Sequence, residues 1–161
     1  MSERKVILLV EDLEDDILLI RRAFTAAKLQ IPLQVVRDGE EAIAYLMGIG
    51  KYERRDEFPL PDLILLDLKM PKLGGLDVLR WIRSHPHLKA LRVIVLTSSE
   101  EIYDVNKAYE LGANSFLVKP AEFICYPSLV RTLEKFWLKT SLAPAVDRPS
   151  EKGHTESGAS K

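Results

Sequence analysis

A short run of apolar residues, Leu63 to Leu66, ends at Asp67 near the middle of the chain. Pro71 and a glycine pair at positions 74–75 follow it and interrupt regular structure. A run that is apolar at every position is typical of a strand covered on both faces, as in a parallel sheet. We therefore predict a central buried strand with Asp67 at its carboxyl end. Taken alone, an Asp at this position also fits a simple turn residue.

Four other segments share this strand-like character. The segments between them show the periodicity of helices. The predicted strands are residues 5–10, 33–36, 63–66, 93–96 and 115–118. Apolar residues at helical spacing in the remaining segments predict five amphipathic helices. The fourth helix is predicted from Ser99 to a cap at Gly112, and the fifth from about Ser128 to Lys139. This alternation predicts a doubly wound parallel α/β sheet, because right-handed crossovers place helices on both faces.

The other segments define the extent of the domain. Residues 48–61 are polar and contain Gly50, Pro59 and Pro61, so they are predicted to form an enlarged surface loop. Residues 1–140 are predicted to form one domain, with no space for a second. Residues 141–161 are predicted to be a disordered tail, because the chain beyond Pro144 has almost no apolar content. Cys125 has apolar neighbours and is expected to be buried or half-buried.

The composition argues against several classes of protein. The chain has 161 residues, of which 47% are hydrophobic, with a net charge of −1 and a pI near 6.3. A nucleic-acid-binding surface would instead concentrate Lys and Arg. No apolar stretch reaches the roughly 18–20 residues that cross a bilayer, and residues 1–5 leave no room for a signal peptide. With a lone cysteine, a cytoplasmic location is expected.

Polar side chains stand at the carboxyl ends of four predicted strands. The first strand is followed by Glu11 and Asp12, the third by Asp67, the fourth by Thr97 and the fifth by Lys119. In a parallel sheet these ends share one edge, where ligands bind. Carboxylates gathered there repel one another unless a cation lies among them, and oxygen ligands suit Mg²⁺. The hydroxyl and the ammonium suit a phosphoryl group, so the set indicates phosphoryl transfer.

The order and identity of these residues resemble the receiver domain of two-component response regulators, over about residues 5–139. Further family motifs match the loop after the central strand and the residue after the fifth strand: Met70, Pro71, Gly75 and Pro120. The resemblance implies a flavodoxin-like sheet of five strands in the order 2-1-3-4-5, with five helices. It also implies a phosphoacceptor signalling protein rather than an enzyme.

The resemblance assigns a phosphoacceptor and a set of metal ligands. It implies that Asp67 accepts a phosphoryl group from a phosphohistidine on a sensor histidine kinase. Asp12, Asp67 and the backbone carbonyl of Lys69 would bind Mg²⁺ directly, and Glu11 would act largely through water. Glu11 replaces the more usual Asp, and its longer side chain still permits a water-mediated contact.

The same resemblance implies a conformational switch. Thr97 would move toward the phosphoryl group beside Lys119, and the ring of Phe116 would fill the vacated space. Phe116 stands where many members have Tyr, so a readout through a tyrosine hydroxyl is not expected. The charge of Lys69, two residues after the acceptor, is expected at the mouth of the site.

Three features narrow the resemblance to stand-alone regulators that partner bacterial and cyanobacterial phytochrome kinases. They are the acidic group at residues 14–16, the long loop before the third strand and the segment at 136–140. Output is expected through binding to another protein or onward transfer of phosphate, without nucleic acid or membrane. A homodimer through helix four, strand five and helix five is expected from several large apolar residues: Tyr103, Phe123, Tyr126, Phe136 and Trp137.

Three other functions fit parts of the pattern. A Mg²⁺-dependent hydrolase of the haloacid dehalogenase type also uses a strand-end Asp, but Lys69 stands where that family needs a second Asp. A flavodoxin-like binding protein would favour hydroxyls after the first strand, where Glu11 and Asp12 would repel a phosphate. A pseudo-receiver that only scaffolds a partner would not need Thr97 and Lys119 beside three acids.

Overall fold

Five short parallel strands form the centre of the computed structural model, which describes residues 5–135. The strands are β1 (Ile7–Val10), β2 (Leu33–Val36), β3 (Leu63–Leu66), β4 (Val93–Thr97) and β5 (Ser115–Val118). Their order in the sheet is β2-β1-β3-β4-β5, which confirms the predicted topology. Because β3 pairs with both β1 and β4, it is central and buried at every position, as its apolar run predicted.

Helices cover both faces of this sheet. In the described part of the chain they are α1 (Glu14–Ala26), α2 (Gly39–Met47), α3 (Gly75–Ser84), α4 (Ile102–Glu110) and α5 (Tyr126–Leu133). Helices α1 and α5 pack on one face, and α2, α3 and α4 pack on the other. Successive residues of β3 alternate between the two cores, with Ile64 in one and Leu65 in the other. The doubly wound architecture is therefore confirmed.

Local signals explain where α2 begins and ends and where α3 ends. The Asp38 carboxylate accepts a hydrogen bond from the Glu41 backbone N–H at 2.7 Å, which satisfies a free donor at the start of α2. The helix ends at Gly48, whose φ of 68° is a left-handed conformation that glycine adopts without strain. Helix α3 ends at Ser84, because Pro86 cannot continue it.

The prediction that residues 48–61 form only a polar surface loop is wrong. The segment contains a 3-10 turn, and the side chains of Tyr52 and Leu60 are buried in the core under α2, α3 and α4. The rings of Tyr52 and Tyr45 pack with their centroids 5.0 Å apart. The Arg55 guanidinium donates to three backbone carbonyls, two of α2 and one within the segment. Local composition does not reveal this packing, because the partners lie on α2.

Helix α4 begins later than predicted. It starts at Ile102 rather than at Ser99, which lies in the turn before the helix. In that turn, the Ser99 hydroxyl accepts from the Glu101 N–H at 3.3 Å and donates to Asp104 at 2.6 Å. Ser99 therefore organises the segment before the helix instead of its first turn. At the other end of α4, Gly112 has a φ of 104°, in agreement with the predicted helix stop.

Helix α5 and the turn before it correct two further predictions. A 3-10 turn, Phe123–Cys125, leads into α5 at Tyr126 rather than at Ser128. This turn leaves Cys125 exposed, so its predicted burial is wrong. Tyr126 is only 2% exposed and belongs to the core under α1 and α5, so it is not a surface residue. Phe136, Trp137 and the predicted tail lie outside the described residues.

Membrane association through a spanning helix was not expected from the sequence. Among residues 5–135, no helix has both the length and the apolar character needed to cross a bilayer.

Candidate functional site

Three carboxylates meet at the carboxyl edge of the sheet. Parallel pairing aligns Val10 of β1 with Leu66 of β3, so the residues that follow them lie side by side. Glu11, Asp12 and Asp67 each place one oxygen within 4.8 Å of the others. Glu11 and Asp67 are buried, which keeps water from screening their charges. The topology alone thus assembles the acidic cluster that the sequence predicted.

This cluster fits a hard divalent cation. It is the one group of three or more potential metal ligands found within residues 5–135. Asp12 Oδ1 is buried, yet it has no hydrogen-bond partner in the described structure. A buried carboxylate oxygen without a partner is costly unless a cation or a donor meets it. Since all the donor atoms are carboxylate oxygens, the site fits Mg²⁺.

Lys119, just after β5, supplies the cation already present in the site. Its Nζ lies 2.5 Å from Glu11 Oε1, 2.7 Å from Asp16 Oδ2 and 3.7 Å from Asp67 Oδ2. The side chain of Lys119 is only 6% exposed, so these contacts form in a largely water-free environment. One ammonium cannot neutralise four carboxylates, which leaves the site negative and receptive to a second cation.

Burial and neighbouring charges shift the pKa values of both Glu11 and Lys119. Burial raises the pKa of Glu11 to about 7; the Lys119 hydrogen bond opposes this rise, and the Asp67 charge adds to it. Burial alone would lower the pKa of Lys119, but hydrogen bonds from its ammonium to Asp16 and Glu11 and the charge of Asp67 outweigh burial and raise that pKa. Lys119 is therefore charged at neutral pH, whereas Glu11 titrates near neutrality.

The backbone around Asp67 is held tightly. Its Oδ1 accepts a hydrogen bond from the Leu68 N–H at 2.9 Å, which fixes the carboxylate orientation. Gly75 packs so closely that a Cβ at this position would lie 2.2 Å from the Asp67 carbonyl oxygen. In the loop between Asp67 and Gly75, Met70 packs against the core and Pro71 is exposed. After Lys119, Pro120 is half-buried beside the site.

A second polar network joins the β3–α3 loop to α4. Thr97, at the end of β4, is fully buried, and its Oγ1 accepts from the Ser99 N–H at 3.4 Å. The Ser99 hydroxyl contacts Asp104, which is 8% exposed. Lys69 Nζ lies 3.8 Å from Asp104 and 3.9 Å from Glu101. The charge of Lys69 at the mouth of the site is therefore directed to α4.

Phe116 of β5 lies between the core and the surface. It is half-buried and packs against the core under α2, α3 and α4. Its backbone N–H donates to the Tyr109 hydroxyl of α4 at 3.0 Å, so α4 and this edge of β5 are joined directly. The face formed by α4, β5 and the turn before α5 leaves several large apolar residues exposed: Ile102, Tyr103, Val118, Phe123 and Ile124.

Sequence reasoning missed two acids that organise the site, Asp16 and Asp104. From the sequence, Asp16 was singled out only as part of the acidic group at residues 14–16 that narrows the family resemblance, yet its side chain contacts Lys119. Asp104 occupies the first turn of α4, where an acid also needs no special explanation. No local signal distinguishes either residue from a solvated helix acid, because the partners come from other strands and loops.

The fold and the site together define a class of protein: a doubly wound α/β domain in which clustered carboxylates and a lysine surround one buried strand-end aspartate. The family model for the response regulator receiver domain matches residues 7–124. The chain belongs to this family, as the sequence resemblance implied. Receiver domains are signalling modules of two-component systems that are phosphorylated on an aspartate and bind Mg²⁺ at an acidic site. Membership favours this interpretation over the hydrolase and flavodoxin-like alternatives.

Comparison with known proteins finds many similar response regulators, among them Rcp1, RcpA and RPA3017. Rcp1 of Synechocystis sp. is 41% identical over 142 residues, which cover 88% of this chain and 95% of Rcp1. The crystal structure of its Mn²⁺-bound form superposes with a TM-score of 0.78, over 88% of this chain and 99% of that chain. The phosphorylated cyanobacterial phytochrome response regulator RcpA has 41% identity and a TM-score of 0.79, over 89% of this chain and 100% of that chain. RPA3017, in red light signalling of R. palustris, has 35% identity and a TM-score of 0.84, over 88% of this chain and 99% of that chain.

Proposed function

We propose that Asp67 accepts a phosphoryl group from a phosphohistidine on a sensor histidine kinase. A carboxylate oxygen of Asp67 attacks phosphorus, an O–P bond forms, and the P–N bond breaks with its electron pair left on the imidazole nitrogen. The observation that carries this proposal is the position of Asp67, which is buried beside two other acids with Lys119 Nζ 3.7 Å away. Phosphoryl transfer asks a protein chiefly for such positioning and charge neutralisation.

Mg²⁺ is the proposed cofactor of this transfer. Asp12, Asp67 and the backbone carbonyl of Lys69 would hold the ion, and Glu11 would act largely through water. A water-mediated rather than direct contact of Glu11 with the ion is supported by its Oε1, which already accepts a hydrogen bond from Lys119 at 2.5 Å. When bound, the ion neutralises charge on the phosphoryl oxygens. The unpartnered oxygen of Asp12 supports its assignment as a direct ligand.

The proposed output is a switch that runs from Thr97 to Phe116. Phosphorylation adds about −1.5 to −2 charge units beside Lys119 and the Thr97 hydroxyl. Movement of Thr97 toward the phosphoryl group would open space for the half-buried ring of Phe116. Because the Phe116 N–H is bonded to Tyr109, a change at this ring would also reach α4.

The proposed kinase partner is of the phytochrome class. Support comes from two similar proteins: RcpA is a cyanobacterial phytochrome response regulator, and RPA3017 is a response regulator in red light signalling. Such a pairing places the protein in the cytoplasm, with residues 1–140 as its receiver domain. Signalling then proceeds by binding another protein or by passing the phosphoryl group onward.

We also propose a homodimer through α4, β5 and the start of α5. Ile102 and Ile124 are 75% and 76% exposed, and Tyr103 lies beside Ile102 with similar exposure. Exposed apolar residues on one face mark an association surface. Tyr126 takes no part, because it is buried.

Light scattering after size exclusion should give a dimer that Ile102→Glu converts to monomer. Met47→Glu, at an exposed position on α2, is the control; a monomeric wild type would exclude this dimer.

The acceptor assignment can be tested with a small acyl-phosphate donor and Mg²⁺. Wild-type protein should gain one hydroxylamine-sensitive phosphoryl group, detected by intact mass, and excess chelator should prevent the gain. Asp67→Asn should gain none. Asp77→Asn removes an exposed acid of α3 that pairs with Arg80 at 3.1 Å, so it should label like the wild type.

Two outcomes would contradict the proposal. Full labelling of Asp67→Asn would move the acceptor to another residue. A wild-type protein that gains no phosphoryl group from the small donor or from a panel of phosphorylated kinases would instead support the pseudo-receiver scaffold.

A further inference from the structure

Asp16 differs from the other acids at the start of α1. Glu14 pairs with Arg37 at 2.9 Å on the surface, and Asp15 is exposed to solvent. The Asp16 side chain is only 22% exposed and lies 2.7 Å from Lys119 Nζ. An acid that only complemented the helix dipole would have no reason to meet a lysine from the far end of the sheet.

The Lys119 ammonium has three N–H donors, and Asp16 accepts one of them. Glu11 accepts at 2.5 Å and Asp16 accepts at 2.7 Å, so two of the donors are used. Asp67 Oδ2, at 3.7 Å, is beyond hydrogen-bond distance. The third donor is therefore close to the proposed acceptor but not bonded to it.

We infer that Asp16 is a positioning residue, which anchors Lys119 so that one ammonium donor stays available for an incoming phosphoryl group. This inference rests on the proposed role of Asp67 as phosphoacceptor. Without Asp16, the ammonium could move the short distance to Asp67 and bond to its carboxylate. Such a bond would stabilise the carboxylate before attack and make it a poorer nucleophile. It would also remove the donor that is held ready for charge on the transferred group.

The kinetic test is a double-mutant cycle with a small acyl-phosphate donor in excess Mg²⁺. Asp16→Ala should slow labelling of Asp67 about tenfold, the lower end of what one hydrogen bond between charged partners contributes. In a Lys119→Ala background, the same substitution should change the rate by no more than about twofold, because Asp16 acts only through Lys119. Asp16→Asn keeps an acceptor oxygen without the charge, so its labelling rate should lie between those of the wild type and Asp16→Ala. Asp15→Ala removes a neighbouring exposed acid of the same helix turn and should match the wild type.

A spectroscopic measurement tests the contact without any phosphoryl donor. In ¹⁵N-labelled protein, an ammonium that is buried and bonded to two carboxylates should exchange slowly and give a resolved signal. Lys119→Arg assigns that signal by removing it. Asp16→Ala should broaden or shift the signal, and Asp15→Ala should not.

The outcomes separate this inference from the proposed function. If the wild type labels at Asp67 and Asp16→Ala labels equally fast, only the positioning role fails. A tenfold loss in both backgrounds would show a structural effect of Asp16 and would overturn the inference as well. An unchanged ammonium signal in Asp16→Ala would refute the contact itself. Absence of wild-type labelling would defeat the proposed function, whatever the ammonium signal shows.

Discussion

Replacing the proposed phosphoacceptor, Asp67→Asn, is expected to stabilise the protein at pH 8 in the absence of divalent metal. At this pH Glu11 is ionised, because its pKa is raised only to about 7. Asp67 then faces two like charges, each with an oxygen within 4.8 Å. Asparagine removes the charge and keeps an oxygen that can accept from the Leu68 N–H.

The magnitude follows from the distances. Each like-charge pair lies within 4.8 Å, and at that limit, with an effective dielectric constant near 20, one pair costs about 3.5 kcal/mol and the two pairs cost about 7 kcal/mol. The attraction between Asp67 and Lys119 at 3.7 Å offsets about 4.5 kcal/mol of this cost. The balance is a net repulsion of about 2.5 kcal/mol, which the substitution removes. At pH 5.5 Glu11 is mostly protonated, one repulsive pair is lost, and the gain should vanish or reverse.

Urea unfolding followed by circular dichroism, in chelator at pH 8 and pH 5.5, measures this difference. The denaturant dependence of the free energy should not change, since the fold is the same. Asp77→Asn makes the same change of charge at an exposed ion pair and should stay within about 0.5 kcal/mol of wild type at both pH values. Mg²⁺ at ten times its dissociation constant should add about 1.4 kcal/mol to the wild type and less to the variant, which lacks one of the proposed ligands. Destabilisation of Asp67→Asn at pH 8 in chelator would refute the electrostatic account of the cluster.

Three further predictions test other parts of the structure. In chelator, the free energy of unfolding of the wild type should fall by up to about 3 kcal/mol between pH 4.5 and 7, because folded Glu11 retains a proton that the unfolded chain releases. Urea unfolding of Glu11→Gln over the same pH range should show most of this fall abolished. Arg83→Met should lower the free energy of unfolding by about 2–4 kcal/mol, because the Arg83 guanidinium donates to the carbonyls of Gly112 and Leu91 and to Asn114; loss below about 1 kcal/mol would contradict this. Thr97→Ala should still label on Asp67 but lose the phosphorylation-dependent NMR shifts around Phe116; identical shifts in wild type and variant would disprove the switch.

Most of the fold could be predicted because each signal was local. The apolar run of β3, the helical spacing of the connecting segments and the proline after α3 each specify structure through neighbours in sequence. The acidic cluster followed once the topology was known, since parallel strands end at one edge. The start of α4 was misplaced because Ser99 resembles a helix cap, whereas its hydroxyl is bonded to Asp104.

The features that the sequence did not reveal depend on distant partners. Tyr52 and Leu60 lie in a polar segment, and only the presence of α2 against that segment explains their burial. Asp16 fits the helix dipole and therefore needed no other explanation until the structure placed Lys119 beside it. Contacts of this kind are decided by tertiary packing, which neither composition nor periodicity records.

The contact between Asp16 and Lys119 also has a consequence for how the protein becomes competent during synthesis. The lysine lies 103 residues after Asp16 and 108 residues after Glu11 in the order of translation. All the acids of the site therefore leave the ribosome before the ammonium that compensates them. We expect a nascent chain that stops before β5 to take up no phosphoryl group from a small donor, and the completed chain to do so at once. Receptivity to the signal would then begin only when the last strand has been made and docked.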